Sequence, residues 1–325
     1  MISARSRLLG AACLATALLV SACATESPGS LDSASSELPL PPQATWAMTG
    51  LPDPEGKADA PVLTVKIDNT SAARPQSGVE RADLVVQEPV EGGATRLAAF
   101  YQSTSPKRVG PVRSVRTSDV GLVLPVRATL VASGGAQVVL RTMAAANVTV
   151  VDESNPNLTR DTSRPAPYNV YASLAGLQSE GIGKPPKQPY LDFGAITAPD
   201  GGKARSVSVR SSSLATEDWS FDKKAQTWNR ESGNFAANNL IMLQVELADA
   251  GYQDPAGNPV PEVVTSGKGK GWLATGGNVR KIRWSKSALD ASFALTTRDG
   301  APIQVPPGKS WISLLPQDTS QVSYR

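Results

Sequence analysis

Residues 1–23 constrain everything that follows them, because they decide the compartment in which the rest of the chain must fold. Arg5 and Arg7 precede an apolar run from Leu8 to Val20, and the run closes on Val20-Ser21-Ala22-Cys23. A charged start, a short apolar stretch and small residues before a cysteine mark a signal peptide ending in a lipobox. The run falls short of the roughly 20 apolar residues of a spanning helix. Residues 1–22 are therefore read as a lipoprotein signal peptide, and Cys23 as the lipidated first residue of the mature chain. Two acyl chains hold a protein stably on a membrane. A secreted chain whose signal happens to end in cysteine, or a short membrane anchor, are the alternatives.

Processing would leave the mature body without a usable thiol, since Cys13 departs with the signal and Cys23 carries lipid. With no disulfide available, an oxidising compartment must be survived by a large core, which roughly 260 residues can supply. Loss of Arg5 and Arg7 leaves 30 Lys+Arg against 29 Asp+Glu, a net of about +1. That balance argues against a nucleic-acid partner, which wants a strongly basic face.

From residue 23 to about 60 the chain is rich in Ser, Pro, Ala, Glu and Asp and reads as a disordered tether, about 35 Å long as a coil. Folded structure is expected from Pro61. Residues 62–69, 83–86, 95–101 and 109–115 read as strands, Thr117-Ser118-Asp119 as a helix start, 128–132 as a strand, 136–146 as a helix and 148–151 as a further strand. This order predicts an α+β or α/β N-terminal domain over 61–200, a mixed sheet with covering helices. After the Pro/Gly-rich passage 181–202, the pattern turns to strands separated by turns such as Asp299-Gly300 and Pro307-Gly308. An all-β C-terminal domain is expected over 204–325, with Trp219, Trp228, Trp272, Trp284 and Trp311 in its core or lining a groove.

The chain has no histidine. Ser-His-Asp and Cys-His machinery, and zinc sites built on histidine or thiolate, are excluded. What remains is carboxylate chemistry, an arginine-based anion site, a hard cation held by carboxylates, or no catalysis, and the chain is read as a binding protein rather than an enzyme. No cofactor is expected.

The densest polar constellation lies between Glu88 and Arg116, where Glu88, Glu91 and Arg96 are followed by Arg113 and Arg116. Arginines beside the free amides of a helix start suit phosphate or carboxylate. Arg160 and Arg164 stand ready to complete such a site. The alternative is that these arginines pair with Glu88, Glu91, Asp119 and Asp161 as structural bridges. Glu88 and Glu91 also invite a glycosidase reading, and Asp68 with them a Mg²⁺ or Ca²⁺ site. Gly92-Gly93 and Gly134-Gly135 read as turns or as close approaches of backbone to a ligand. Gly267-Lys268-Gly269-Lys270-Gly271 lacks the strand-to-helix context of a phosphate loop and reads as a flexible β-turn.

Several stretches together resemble the YerB-like bacterial lipoproteins, a family of domains of unknown function. They are Arg74-Pro75-Gln76-Ser77-Gly78 followed by Ala82-Asp83, Glu88 to Arg96, Val109 to Arg116, Arg160 to Tyr171, and in the second half Trp219 to Asp222, Gly267 to Gly271, Ile282 to Lys286 and Pro307 to Ile312. The resemblance covers nearly the whole chain after the tether. It implies an extracytoplasmic, lipid-anchored, two-domain protein and supplies no catalytic residue. This chain departs from the pattern in having Ala132-Ser133 and Tyr168 where the family commonly carries histidines. The order of elements is also similar to that of the LytR-CpsA-Psr envelope transferases, without residue-by-residue matches.

The sequence thus leads to an extracytoplasmic lipoprotein of the cell envelope, attached through the lipid on Cys23. Its expected role is to bind an anionic ligand, lipid-linked or cell-wall glycan, or a wall-synthesis protein, near Arg96, Arg113 and Arg116. An envelope phosphotransferase or glycan hydrolase using Glu88, Glu91 or Asp68 is the alternative from another class, and a regulator of a wall synthase is the third.

Overall fold

The computed structural model describes residues 44–195, 201–254 and 257–325; the signal peptide, Cys23 and the first part of the expected tether lie outside them. Before residue 200 the strands are β1 (Leu63–Asp68), β2 (Leu84–Pro89), β3 (Thr95–Tyr101), β4 (Thr129–Val131), β5 (Val150–Val151), β6 (Leu158–Arg160) and β7 (Val170–Ala172). The helices α1 (Asp119–Val123), α2 (Gln137–Ala145) and α3 (Leu174–Ser179) also fall there. Thereafter come β8 (Gly202–Lys203), β9 (Ser206–Arg210), β10 (Thr216–Asp222), β11 (Thr227–Arg230), β12 (Ala236–Ala237), β13 (Asn239–Val245), β14 (Leu247–Gln253), β15 (Pro259–Val263), β16 (Gly267–Thr275), β17 (Asn278–Lys286), β18 (Ala294–Thr296), β19 (Ser310–Pro316) and β20 (Gln321–Tyr324). The protein is strand-rich with few helices.

One large sheet organises the body. Its order is β18-β17-β16-β13-β19-β2-β3-β1-β4-β5, with β8 against β17. The late strand β19 pairs in parallel with both β2 and β13, so strands from before and after residue 200 share one hydrogen-bonded layer. β1, β4 and β5 also run parallel to one another. β1 and β2 are buried on both faces, so the polar side chains that alternate along β1 are enclosed as well as the apolar ones.

One face of the sheet packs against α1 and α2, through Val120, Leu122, Val123, Val139 and Met143 onto Val86, Ala98 and Ile312. The other packs against the smaller antiparallel sheet β12-β11-β10-β9-β20, whose Trp219 and Trp228 meet Met242 and Trp311. Trp219 and Trp311 stand edge to face with centroids 5.2 Å apart. Trp284 is buried too, whereas Trp272 is only partly so.

Three local expectations are revised. Residues 109–115 form isolated bridges (Ser77 to Gly110, Ile67 to Val112, Val109 to Ala172) rather than a strand. Pro111 has no N–H to give a ladder, and the segment instead plugs both cores, with Val109 and Val112 in one and Val115 in the other. The 267–271 run is the start of β16, not a turn. Its glycines clear space for neighbours: a Cβ on Gly269 would lie 2.4 Å from Trp284 Nε1, and one on Gly271 2.4 Å from the Met242 carbonyl. Packed structure also begins ahead of Pro61. Ala47 and Met48 are buried, and the Met48 N–H donates to Gln102 Oε1 at 3.3 Å, while Leu51 stays exposed.

Candidate functional site

Alternation along β1 sends Leu63, Val65 and Ile67 to one core and Thr64, Lys66 and Asp68 to the other face. Register then aligns Asp68, Arg96 and Glu88 in a row across β1, β3 and β2, with Lys66 a step below. These are charged positions inside a sheet, and each must find a partner. Lys66 Nζ donates to Glu88 Oε1 and, at 2.7 Å, to Asp119 Oδ1, and all three side chains are fully buried. Glu88 Oε2 accepts from the Ser118 hydroxyl at 2.7 Å, and Asp119 Oδ2 from the Arg116 N–H at 2.8 Å. The Ser118 hydroxyl, at the N-cap position of α1, is therefore spent on Glu88 and makes no cap bond. Burial pushes Asp119 up to about 6, against the pull of Lys66. For Lys66 burial works downward, but its two carboxylates raise it overall.

A second tier sits above this one. Glu91 accepts from Arg96 at 3.2 Å and from Arg116, and Arg113 Nε lies 3.3 Å from Asp68 Oδ2. Burial works to raise the Glu91 carboxyl, but Arg96 and Arg116 hold it below its usual range. Tyr252 packs over the same place, its hydroxyl raised by burial and drawn down by Arg116. Arg96 and Arg116 are only 5% and 8% exposed. The layer holds Lys66, Arg96, Arg113 and Arg116 against Asp68, Glu88, Glu91 and Asp119, so its charges cancel. Glu88 offers no open face to water or to a sugar oxygen, as an acid or nucleophile would need. Among the described residues no group of three or more His, Cys, Asp or Glu is placed to hold a metal ion. Gly92 and Gly93, with φ of +68° and +74°, make the turn from β2 to β3, and Gly134 has φ +98° after β4.

On the opposite face, a second buried network begins at the end of β1. Arg230 donates to Glu217 through Nε at 2.9 Å and Nη2 at 2.5 Å, to Asn69 Oδ1 at 2.6 Å and to Gln76 Oε1 at 3.2 Å. Its guanidinium lies 4.7 Å over the Trp311 ring. Asn69 Nδ2 donates to Glu217 at 2.9 Å and to Thr95 at 2.8 Å. Burial works to raise Glu217, and the bonds from Arg230 and Ser232 hold it low. Beside this network opens a cleft of about 350 Å³ lined by Arg74, Gln76, Glu80, Arg230, Ser232 and Asn234. Arg74 is a third exposed and lies 3.6 Å from Glu217, while its Nε is buried without a hydrogen-bond partner.

Arg160 and Arg164 serve elsewhere. Arg160 pairs with Glu153 at 2.6 Å and donates to Asn169. Arg164 donates to the carbonyls of Ala73 at 3.0 Å and Pro75 at 3.1 Å and to Tyr171, so it clamps the backbone on both sides of Arg74. Asp161 is taken by Arg108 at 2.5 Å.

Lys66 was readable as the one charged side chain within the β-branched run 62–67. Its link to Asp119, and the union of Asn69 and Gln76 with Glu217 and Arg230, join positions 53 to 161 residues apart that carry no local signal.

The fold and its two internal charge networks define a two-segment, strand-rich protein whose halves interlock through β19. The chain belongs to the family described as "Protein of unknown function (DUF3048)": residues 48–185 match its N-terminal domain and residues 207–312 its C-terminal domain. The chain is 28% identical over 295 residues to "Putative lipoprotein YerB" of Bacillus subtilis (strain 168), covering 85% of this chain and 88% of that one. The crystal structure of the YerB protein from Bacillus subtilis has the same fold, with a TM-score of 0.72 over 86% of this chain and all of that one at 24% identity.

Proposed function

We propose that this protein is a lipid-anchored, extracytoplasmic lipoprotein that binds a carboxylate- or phosphate-bearing envelope glycan in the cleft between Arg74 and Arg230. The anchoring half rests on the lipobox at Cys23 and on the similarity to a protein named a lipoprotein. The binding half rests on one observation above all: the guanidinium-bearing side chains of Arg74, a third exposed, and Arg230 line one polar cleft, and the Arg74 Nε makes no hydrogen bond. An anionic group entering the cleft would meet the exposed part of the Arg74 guanidinium and gain charge-assisted hydrogen bonds there. Arg96 and Arg116, spent on Glu91, act in this reading as the internal brace of the 113–116 segment. Arg164 acts as a positioning residue that holds the Arg74 backbone.

The test is a thermal-shift series on the body, residues 42–325, with inorganic phosphate, muropeptides and polyprenyl pyrophosphate, repeated on Arg74→Gln. A ligand at a hundred times its Kd adds about 2.7 kcal/mol to the stability of the native state. A rise in Tm that Arg74→Gln abolishes, with its unliganded Tm near that of the parent, is the expected result. No rise with any of these anions would sink the small-ligand reading and favour a partner-binding scaffold.

A further inference from the structure

Away from both charge networks, where the chain leaves α1 and α2 and enters β4 and β5, the structure opens a cleft of about 390 Å³. Arg127, Lys184 and Lys187 line it, and Asp290 is the one carboxylate there. Among the described residues, none of the three cations joins an ion pair or a side-chain hydrogen bond, in contrast to the arginines of the charge layer. Arg127 closes the short turn Leu124–Val126 with its backbone N–H, which donates to the Leu124 carbonyl at 3.1 Å, but none of the three side chains takes part in a helix cap. The carbonyls at the two helix ends are satisfied from within the chain, by Ala128 N–H to Val123 at 3.0 Å and Val148 N–H to Met143 at 2.9 Å. Arg127 moreover stands at φ +55°, a left-handed position where glycine costs least. An arginine there costs backbone energy and gains no protein partner.

The cleft also lies beside the point where the described chain begins. Gln188 lines both it and a neighbouring cavity of about 430 Å³ that is walled by Thr45 and Gly50. Only about 20 residues separate Thr45 from Cys23, which limits the distance between them to roughly 75 Å at full extension. A lipid on Cys23 would thus hold this side of the body within reach of the bilayer surface.

We infer that the Arg127, Lys184 and Lys187 cleft binds the phosphate of anionic phospholipid headgroups and so sets the orientation of the body on its membrane. The inference rests on the lipoprotein reading for its geometry but concerns residues that reading does not use. Each cation near an anionic bilayer contributes about a fivefold change in partitioning, so removing all three should weaken binding on the order of a hundredfold.

The body, residues 42–325, forms one compact unit and suits a flotation assay without the lipid. Vesicles of phosphatidylcholine alone are compared with vesicles containing phosphatidylglycerol, at low and high salt. Recruitment by phosphatidylglycerol that falls with salt and is lost in Arg127→Gly/Lys184→Ala/Lys187→Ala is the expected result. Lys268→Ala/Lys270→Ala removes two exposed charges from β16 and should leave binding unchanged. Equal loss in both variants would mean diffuse attraction and overturn the cleft. Glycerol phosphate is run as a soluble competitor: displacement at millimolar concentration or below would identify a free phosphate ester as the ligand and overturn the headgroup assignment. Mass spectrometry of the protein from membranes separates the two readings. A lipidated Cys23 with no vesicle binding refutes this inference alone, whereas an unmodified Cys23 refutes the lipoprotein reading.

Discussion

Replacing Lys66 with methionine tests the charge layer most directly, because it deletes a cation while nearly conserving volume. Lys66, Glu88 and Asp119 are all fully buried. At 2.7 Å and an effective dielectric of about 20, the Asp119 contact alone represents roughly 6 kcal/mol of gross attraction, most of it offset by desolvation. Removing one member of such a group leaves a charge uncompensated and costs about 3–5 kcal/mol. In a body of this size that lowers Tm by roughly 10 °C. The pH dependence carries a sign of its own. Asp119 sits at about 6 in the folded state against an ordinary 3.8. Between those values the folded protein holds a proton that the unfolded chain has released, so stability falls as pH rises through the window and levels off above it. Without Lys66, Asp119 faces Glu88 with no cation between them and keeps its proton to higher pH. The deficit of Lys66→Met should therefore be largest at pH 8 and shrink at pH 5, as read by urea denaturation at both. The triple variant Lys66→Met/Glu88→Gln/Asp119→Asn should recover much of the loss. A deficit below about 1 kcal/mol, or one equal at the two pH values, would refute the account of a coupled buried triad.

Glu91→Gln removes the carboxylate shared by Arg96 and Arg116 and should destabilise by about 2–4 kcal/mol in the same urea assay, more than a surface pair would. Gly269→Ala places a methyl group 2.4 Å from Trp284 Nε1 and 2.6 Å from the Gln244 carbonyl that this indole bonds, so it should cost about 1–3 kcal/mol and shift tryptophan fluorescence. Residues 48–185 expressed alone would lack β19, exposing the β2 edge and the sheet face that carries Val85. That fragment should be insoluble or give no cooperative melt by circular dichroism, and a sharp melt would show that β19 is dispensable.

Much of the secondary structure was legible because local pattern decides it. β3 is the alternating stretch 95–101 itself, and α2 spans 137–145 of the 136–146 run read as helical. The failures have physical causes of their own. The 109–115 segment has the composition of a strand, but Pro111 denies it a ladder, and 267–271 has the composition of a turn, but its glycines are there to admit Trp284 and the β13 backbone. The arginine constellation stands in the sequence as a dense polar patch, and the structure spends Arg96, Arg113 and Arg116 on carboxylates. Its partners were only half legible: Glu91 is near in sequence, whereas Asp68 reaches Arg113 only because β1 carries it there.

The same long-range pairing bears on how the two family segments relate. The two family matches divide the chain between residues 185 and 207. Hydrogen bonding divides the protein differently. β19 belongs to the second segment by position, yet it inserts between β2 and β13 and completes both faces of the sheet with Trp311, Ile312, Leu314 and Leu315. Arg230, also of the second segment, closes the network that holds Asn69 and Gln76 of the first. The Arg74 cleft therefore has walls from both segments and exists only when they are joined. A ligand in that cleft would bind across the seam and stabilise the interlocked body as a whole, the linkage expected when binding and assembly share the same contacts.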